Sequence, residues 1–350
     1  MEAKKVLIAM SGGVDSSAAA QLLKAKGFDC AGATMLLHGP ASKDVEDARN
    51  VAGRLDMPFY VLDRISEFDH RVIQNFIGCY EAGLTPNPCI QCNQHLKFGS
   101  FLRQAEELGF DYIATGHYAQ IRFDPRIGRW LLMKAEDRSK DQTYVLYCLN
   151  QKQLSHTLLP LGSITKAEAR QIAEDGGFIN ARKKDSQDIC FIPDGDYVKF
   201  IREYTGKTYP EGNYLDLNGN VVGRHKGAIC YTLGQRKGLG IALGAPAYVC
   251  GKNMEENTVT VGPNEALFAT TLLADDWNWI LIPELNKPMQ VTAKARYSQM
   301  EQPATVYPAE NGFARVVFDQ PQRALTPGQA VVLYLGDIVV GGGTIREVQK

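Results

Sequence analysis

The chain has 350 residues, 45% of them hydrophobic and 22% charged, a length for two or three domains and a composition that excludes disordered and fibrous proteins. Its 38 Lys and Arg against 39 Asp and Glu leave a net charge of −1, which argues against a non-specific polyanion binder held by bulk attraction but leaves room for one basic face. Eight cysteines are too few for a disulfide scaffold, and no apolar run approaches the roughly 20 residues of a membrane span. The opening MEAKKVLIAMSGG carries no secretory stretch, so a cytoplasmic protein without a membrane partner is expected.

In chain order, residues 5–10 (KVLIAM) read as a strand buried on both faces of a parallel sheet. SGGVDSS follows, then a helix closed by Gly27, a second strand at 29–37, a helix at 44–55 and a third strand at 59–62. Residues 98–108 read as a helix with Gly109 as its stop, and 111–115 as the next strand. Alternation of this kind predicts a parallel α/β domain with ligands at the carboxyl ends of its strands. A hairpin is expected from 119–123 and 130–134, and a helix from 164–175 with Thr165 as its cap. Beyond about residue 206 the texture turns to short β-like pieces and glycines, and beyond about 266 it is strand-rich. The expected division is an α/β catalytic domain at 1–205, a small β-rich domain at 206–265 and a C-terminal β-barrel domain at 266–350.

The loop SGGVDS has glycines that admit a ligand to the backbone and precedes a helix N-terminus with free N–H groups. It is neither a P-loop, which needs Lys then Ser or Thr, nor a GxGxxG fingerprint. Asp15 is an anion and suits a plain phosphate cradle poorly. It fits better where Mg²⁺ rides on the phosphates or pyrophosphate departs; a ligand-free tight turn is the bland alternative. The loop resembles that of the N-type ATP pyrophosphatases, which adenylate a carbonyl or carboxylate oxygen.

Cys89 and Cys92 form a CxxC in TPNPCIQCN, where Pro86 and Pro88 are expected to hold an extended, stiff loop outside any core. A lone CxxC leaves a redox pair, two metal ligands and coincidence open. Cys190 lies in KKDSQDICFIPDGD, where Lys183 and Lys184 would lower its thiol pKa if near, and Ser186, Gln187 and Asp188 suit an exposed approach. Cys30, Cys79, Cys148, Cys230 and Cys250 read as packing residues. An adenylating loop with two reactive thiols suits replacement of a carbonyl oxygen by sulfur: adenylation makes the oxygen a leaving group, a persulfide delivers sulfur, and a second thiolate resolves it.

Taken in order, SGGVDSS, TPNPxxxCN, ATGHYA, KDQTY, DSQDICFI, YTLGQRKGLGI, ARY and PGQ make the chain resemble the bacterial tRNA 2-thiouridylases over most of its length. The resemblance implies ATP-dependent 2-thiolation of the wobble uridine in tRNAs for lysine, glutamate and glutamine, with release of AMP and pyrophosphate. It implies an adenine-nucleotide alpha-hydrolase-like sheet. Carried over, Ala9, Met10, Ser11, Gly12, Gly13, Val14, Asp15, Ser16, Met35 and Gly116 form the ATP site. Cys92 matches the nucleophile and resolving thiol, and Cys190 the persulfide carrier. Asn87, Pro88 and Cys89 match the piece that contacts the target base. Lys140, Asp141, Gln142, His117, Arg296, Tyr297 and Gln329 match tRNA-contacting positions. ATP with Mg²⁺ is the implied cofactor set, Asp15 the candidate for Mg²⁺ or pyrophosphate. The partners are tRNA and a sulfur donor, either a cysteine desulfurase or a relay protein, with no DNA.

Many members carry Asp where this chain has Cys89. Cys89, Cys92 and Cys190 are therefore also candidate ligands of a [4Fe–4S] cluster with one open iron, an alternative route to the same product. Arg224, His225, Lys226, Arg236 and Lys237 fall within 14 residues and suggest a phosphate-facing loop, and Tyr231 and Tyr297 are candidates for stacking on splayed bases. A more distant alternative is an adenylating ligase of small metabolites, which needs no thiols. An RNA-binding protein that senses ATP is a non-enzymatic rival, separated by whether pyrophosphate is released.

Overall fold

The computed structural model describes residues 3–39, 43–183, 189–242 and 244–349; Lys184, Asp185, Ser186, Gln187 and Asp188 of the Cys190 motif lie outside them. Among the described residues no helix is long and apolar enough to cross a membrane.

The apolar run of the first strand, β1 (Lys5–Ala9), buries Val6, Leu7 and Ile8 completely, each worth roughly 1.5–3 kcal/mol relative to exposure. It pairs in parallel with β2 (Asp29–Leu36), which pairs with β3 (Phe59–Asp63). On its other side stands β4 (Tyr112–Ala114). The chain then forms a hairpin of β5 (Gln120–Asp124) and β6 (Arg129–Met133) and returns as the short β7 (Thr157–Leu158) beside β4. The sheet order is β3-β2-β1-β4-β7. Strand order reverses between β1 and β4, and the crevice outside their carboxyl ends is where ligands bind in such sheets.

Helix α1 (Val14–Ala25) follows β1 and α2 (Lys43–Arg54) follows β2. The helix Lys166–Asp175 starts as its sequence predicts. Thr165 accepts from the Glu168 N–H, and Glu168 answers to the Thr165 N–H, a reciprocal cap worth about 1 kcal/mol.

The β-rich texture resolves into a four-stranded sheet ordered β10-β11-β8-β9, from β8 (Gly212–Leu215), β9 (Val221–His225), β10 (Tyr248–Asn253) and β11 (Thr258–Gly262). The expected β-like piece at 228–233 is instead a single tight turn, Ala228–Cys230, entered through Gly227 at φ +105°.

The C-terminal strands are β12 (Phe268–Trp279), β13 (Met289–Lys294), β14 (Gln302–Pro308), β15 (Ala314–Arg323), β16 (Ala330–Leu335) and β17 (Ile338–Gln349). Antiparallel pairing in the order β12-β15-β14-β13-β16-β17 plus a β12–β17 ladder closes them into the expected barrel, which leaves no free edge between its first and last strands. Val331, Leu333, Val340 and Ile345 fill its interior. One feature departs from the expected division: the β5–β6 hairpin joins this last sheet, with Met133 opposite Ile338.

Candidate active site

The SGGVDS turn opens α1 at the carboxyl edge of β1. Gly13 is its N-cap and supplies no side-chain cap, so first-turn N–H groups of α1 are left for an anion. Gly12 stands at φ +69°, and a Cβ there would meet the Asp44 carbonyl at 2.3 Å. Only glycine fits. The loop is braced internally: Ser11 N–H donates to Ser16 Oγ (3.2 Å), while Ser16 Oγ and Ser17 Oγ donate to the Gly13 carbonyl (3.1 and 3.0 Å). Met10 is buried and Met35 half-buried at the end of β2. Gly116 packs on the loop so closely that a Cβ would lie 2.7 Å from the Asp15 carbonyl carbon. The turn and the Gly116 segment thus meet at the β1/β4 crevice, an arrangement that suits ATP.

Residues the sequence reading missed hold this loop. Lys166 Nζ binds both Asp15 carboxylate oxygens at 2.7 and 2.8 Å, and Tyr118 Oη donates to the same group at 2.7 Å. Asn180 Nδ2 donates to the carbonyls of Gly12 and Gly13 at 2.9 and 3.3 Å. With its carboxylate held by an ammonium and a phenol, Asp15 does not fit as a direct Mg²⁺ ligand. Lys183, expected beside Cys190, instead donates to Asp44 (2.5 Å), Asp47 (3.0 Å) and the Gly12 carbonyl (3.2 Å). Its charge is engaged by two carboxylates.

The CxxC corrects the stiff-loop expectation. Asn87 Oδ1 accepts from the Cys89 N–H at 3.1 Å, Pro88 takes the first helical position, and Pro88–Gln91 continues into Cys92–Ser100 and Phe101–Glu107. Proline suits a first turn because the N–H it lacks would be unpaired there. Cys89 is exposed on this first turn; Cys92, one turn on, is buried, in a cluster with Leu96, Phe191 and Ile192. Phe191 adjoins the exposed Cys190. The three sulfurs lie within electrostatic reach of one another, and all eight cysteines are free.

Burial pushes the Cys92 thiol up to about 11, opposed by the Lys97 ammonium and reinforced by Cys190 and Cys89. Packing round the Cys190 sulfur raises its pKa as well, with Lys97 again the first opposing charge. Lys97, also missed by the sequence reading, is the cation shared by both thiols. Burial holds the His117 imidazole well below its usual value, and Lys97 adds to the effect. His117 Nδ1 meets Thr115 Oγ1 at 2.7 Å and its ring packs on Phe98. Residues 115–117 therefore connect the two regions, Gly116 packing on the SGGVDS turn and His117 lying within the electrostatic influence of Lys97.

Among the described residues, no three His, Cys, Asp or Glu side chains are grouped to hold a metal ion.

Of the positions matched to tRNA contact, Tyr297 is 45% exposed, its ring edge-on to Tyr144 and Lys294 above it. It borders a cavity of about 570 Å³ lined also by Asp141, Lys134, Lys294 and Glu301. Asp141 accepts from the Ala135 N–H (3.0 Å) and Thr143 Oγ1 (2.5 Å), and burial raises its pKa. Lys140 is half-buried beside it. Gln142 exchanges two hydrogen bonds with the Tyr118 backbone, both 2.9 Å. Arg296 and Gln329 bond to protein carbonyls. The basic cluster splits: Lys226, Arg236 and Lys237 are exposed, Arg224 pairs with Glu211, and His225 is buried. Tyr231, a candidate for base stacking, is 3% exposed and packs on Tyr214 and His225. It is a core residue.

Residues 4–194 match the family described as tRNA methyl transferase HUP domain. Residues 198–263 match the tRNA methyl transferase PRC-barrel domain, and 269–345 the aminomethyltransferase beta-barrel domain. The tRNA-specific 2-thiouridylase MnmA of Clostridioides difficile (strain 630) is 49% identical over 98% of this chain and 98% of its own. That of Moorella thermoacetica is 50% identical over 98% of this chain and 100% of its own. The Acetivibrio thermocellus protein of the same name is 49% identical, over 99% and 100%. Among solved structures, NMN synthetase from Francisella tularensis matches at 15% identity and a TM-score of 0.36, over 59% of this chain and 78% of that one.

Proposed function

Because the chain belongs to the tRNA-specific 2-thiouridylase family, we propose that it replaces the C2 oxygen of the tRNA wobble uridine by sulfur at the expense of ATP. The observation that supports this best is the meeting of an uncapped, glycine-lined helix start with two thiols under one lysine, joined by residues 115–117.

ATP lies with its phosphates on Ser11, Gly12, Gly13 and the first turn of α1, flanked by Ala9, Val14, Ser16 and Met35. The uridine, flipped from its loop to reach the crevice, attacks the α-phosphorus through O2, and pyrophosphate leaves. Mg²⁺, if carried by those phosphates, would offset their negative charge as pyrophosphate leaves. A Cys190 persulfide, charged by a cysteine desulfurase or a relay protein, attacks C2 with its terminal sulfur, and AMP departs. The Cys92 thiolate then attacks the Cys190 sulfur. The S–S bond to the base breaks, its electron pair stays on the sulfur at C2, and a Cys92–Cys190 disulfide remains for an external thiol to reduce. Lys97 favours each thiolate, and neutral His117 leaves that charge undiluted. Asn87, Pro88 and Cys89 present the helix start to the base. Lys140, Asp141, Gln142 and Tyr297 face the tRNA beside it, and the substrates are the tRNAs for lysine, glutamate and glutamine.

The test is mass spectrometry of nucleosides after incubating tRNA with protein, ATP, Mg²⁺ and a sulfide or persulfide source. Formation of 2-thiouridine with stoichiometric pyrophosphate supports the reading, and its absence both with and without air overturns it. Full activity of iron-free protein in air supports the persulfide route over a cluster.

A further inference from the structure

The catalytic-cysteine segment is tied to the C-terminal barrel immediately before it begins. Thr85 stands four residues ahead of Cys89. Its N–H donates to the Pro327 carbonyl at 3.0 Å, and its own carbonyl accepts from Gln329 Nε2 at 2.7 Å. Between them Gly328 sits at φ +90°, where an added Cβ would lie 2.7 Å from the Thr85 nitrogen and 2.9 Å from Leu84 Cβ. The close approach requires glycine for both reasons.

The turn at 327–329 is anchored from behind. Gly328 N–H donates to the Ile345 carbonyl and Ile345 N–H to the Gln329 carbonyl, both at 2.8 Å, and Ile345 is wholly buried in the barrel. Arg296 Nη2 secures the approach to the turn through Thr326 Oγ1 (2.5 Å) and the Ala324 carbonyl (2.8 Å). It also reaches the Leu233 carbonyl of the central domain at 3.4 Å.

We propose that Gln329 is a positioning residue for the nucleophile, clamping Thr85 so that the helix start carrying Cys89 and Cys92 is fixed to the barrel. This rests on the reading of Cys92 as the resolving thiol. Residues 85–88 transmit the clamp because Pro86 and Pro88 fix φ at two positions and restrict Thr85 and Asn87 before them. The bond from Asn87 to the Cys89 N–H completes the path. The half-buried Gln329 amide N–H is thus committed to a protein carbonyl.

The test needs no tRNA. Iodoacetamide labelling of the full chain, read cysteine by cysteine by mass spectrometry, is compared for wild type, Gln329→Ala and Gln329→Glu. Glutamate keeps the shape and loses the donor. Both variants should label Cys92 faster by about threefold or more while the distant Cys30 is unchanged, as local opening confined to the segment requires. In turnover, kcat should fall about tenfold with KM for tRNA held within about twofold. Unchanged Cys92 labelling together with a raised KM would make Gln329 a tRNA contact and overturn the proposal. A parallel rise at Cys30 would mean general destabilisation and overturn it equally. Should Gln329→Ala fail to melt cooperatively, Gln329→Glu carries the comparison. If the wild type forms no 2-thiouridine, the functional reading falls, while the labelling pattern still reports the clamp.

Discussion

Among the described residues, the side chains that brace the SGGVDS turn come from the parallel-sheet half of the molecule: Ser16, Ser17, Asn180 and Lys183 at Gly12 and Gly13, and Lys166 at Asp15. Cys92 is held differently: it packs among its own helix and the hydrophobic residues after Cys190, and the segment leading into that helix is tied at Thr85 to a turn of the barrel. The nucleotide loop is a rigid receptor built on one frame, in which preorganisation costs nothing at the moment of reaction. The thiol site is an assembly of frames, and its geometry is only as good as the contacts between them. A loop of the first kind suits a ligand of constant shape, and a site of the second kind suits thiols that must approach and separate in turn.

Perturbations separate the two. The largest effect is expected at the sulfurs: Cys92→Ser or Cys190→Ser should lower 2-thiouridine formation by about a thousandfold or more, while pyrophosphate release, which belongs to the loop, persists. Release and thiolation lost together would erase the distinction. Next, Lys166→Met leaves the Asp15 carboxylate, 32% exposed, without its ammonium. A destabilisation of about 2–3 kcal/mol is expected from stranding a mostly buried charge, read as a lower Tm together with a raised KM for ATP. An unchanged melting curve would remove the ion pair from the frame.

A smaller, several-fold effect is expected at Lys97. Its ammonium favours both thiolates, so Lys97→Met should raise their pKa values and slow iodoacetamide labelling about threefold at pH 8. Wild-type labelling of Cys92 should go on rising up to about pH 11. The same shift enters stability. A thiol raised from 9.0 to about 11 on folding stabilises the native state fully below pH 9 and loses that contribution as pH climbs towards 11. Melting temperature should accordingly drop across that window, and Cys92→Ser should flatten the drop. Smallest of all, the surface pair Arg138–Asp337, 53% exposed on both sides, should contribute about 0.5 kcal/mol or less, and Arg138→Ala should leave Tm within error.

What the sequence made legible follows the same line. The parallel sheet, the hairpin, the Thr165 cap and the barrel strands depend on periodicity and neighbours a few residues apart, and they stand where the pattern placed them. The SGGVDS turn was readable because its glycines serve a local backbone need. Lys166 and Asn180 were not, since they reach Asp15 and Ser17 across 151 and 163 positions. Lys183 was drawn towards Cys190 by proximity in sequence, when Asp44 and Asp47 offered stronger partners. Pro88 misled because proline was weighed as a helix breaker, although at a first turn it is a helix starter. Tyr231 and His225 sit in a polar, glycine-rich stretch, and the turn at Gly227 folds them inward.

The β5–β6 hairpin leaves the parallel sheet and ends alongside β17, with Arg129 donating to the carbonyls of Trp279 and Ile280 at 2.9 and 2.7 Å. Swinging the barrel away from the nucleotide half would break those bonds and the Met133–Ile338 bridge. The hairpin therefore braces the barrel wall against the half of the molecule that carries the glycine turn.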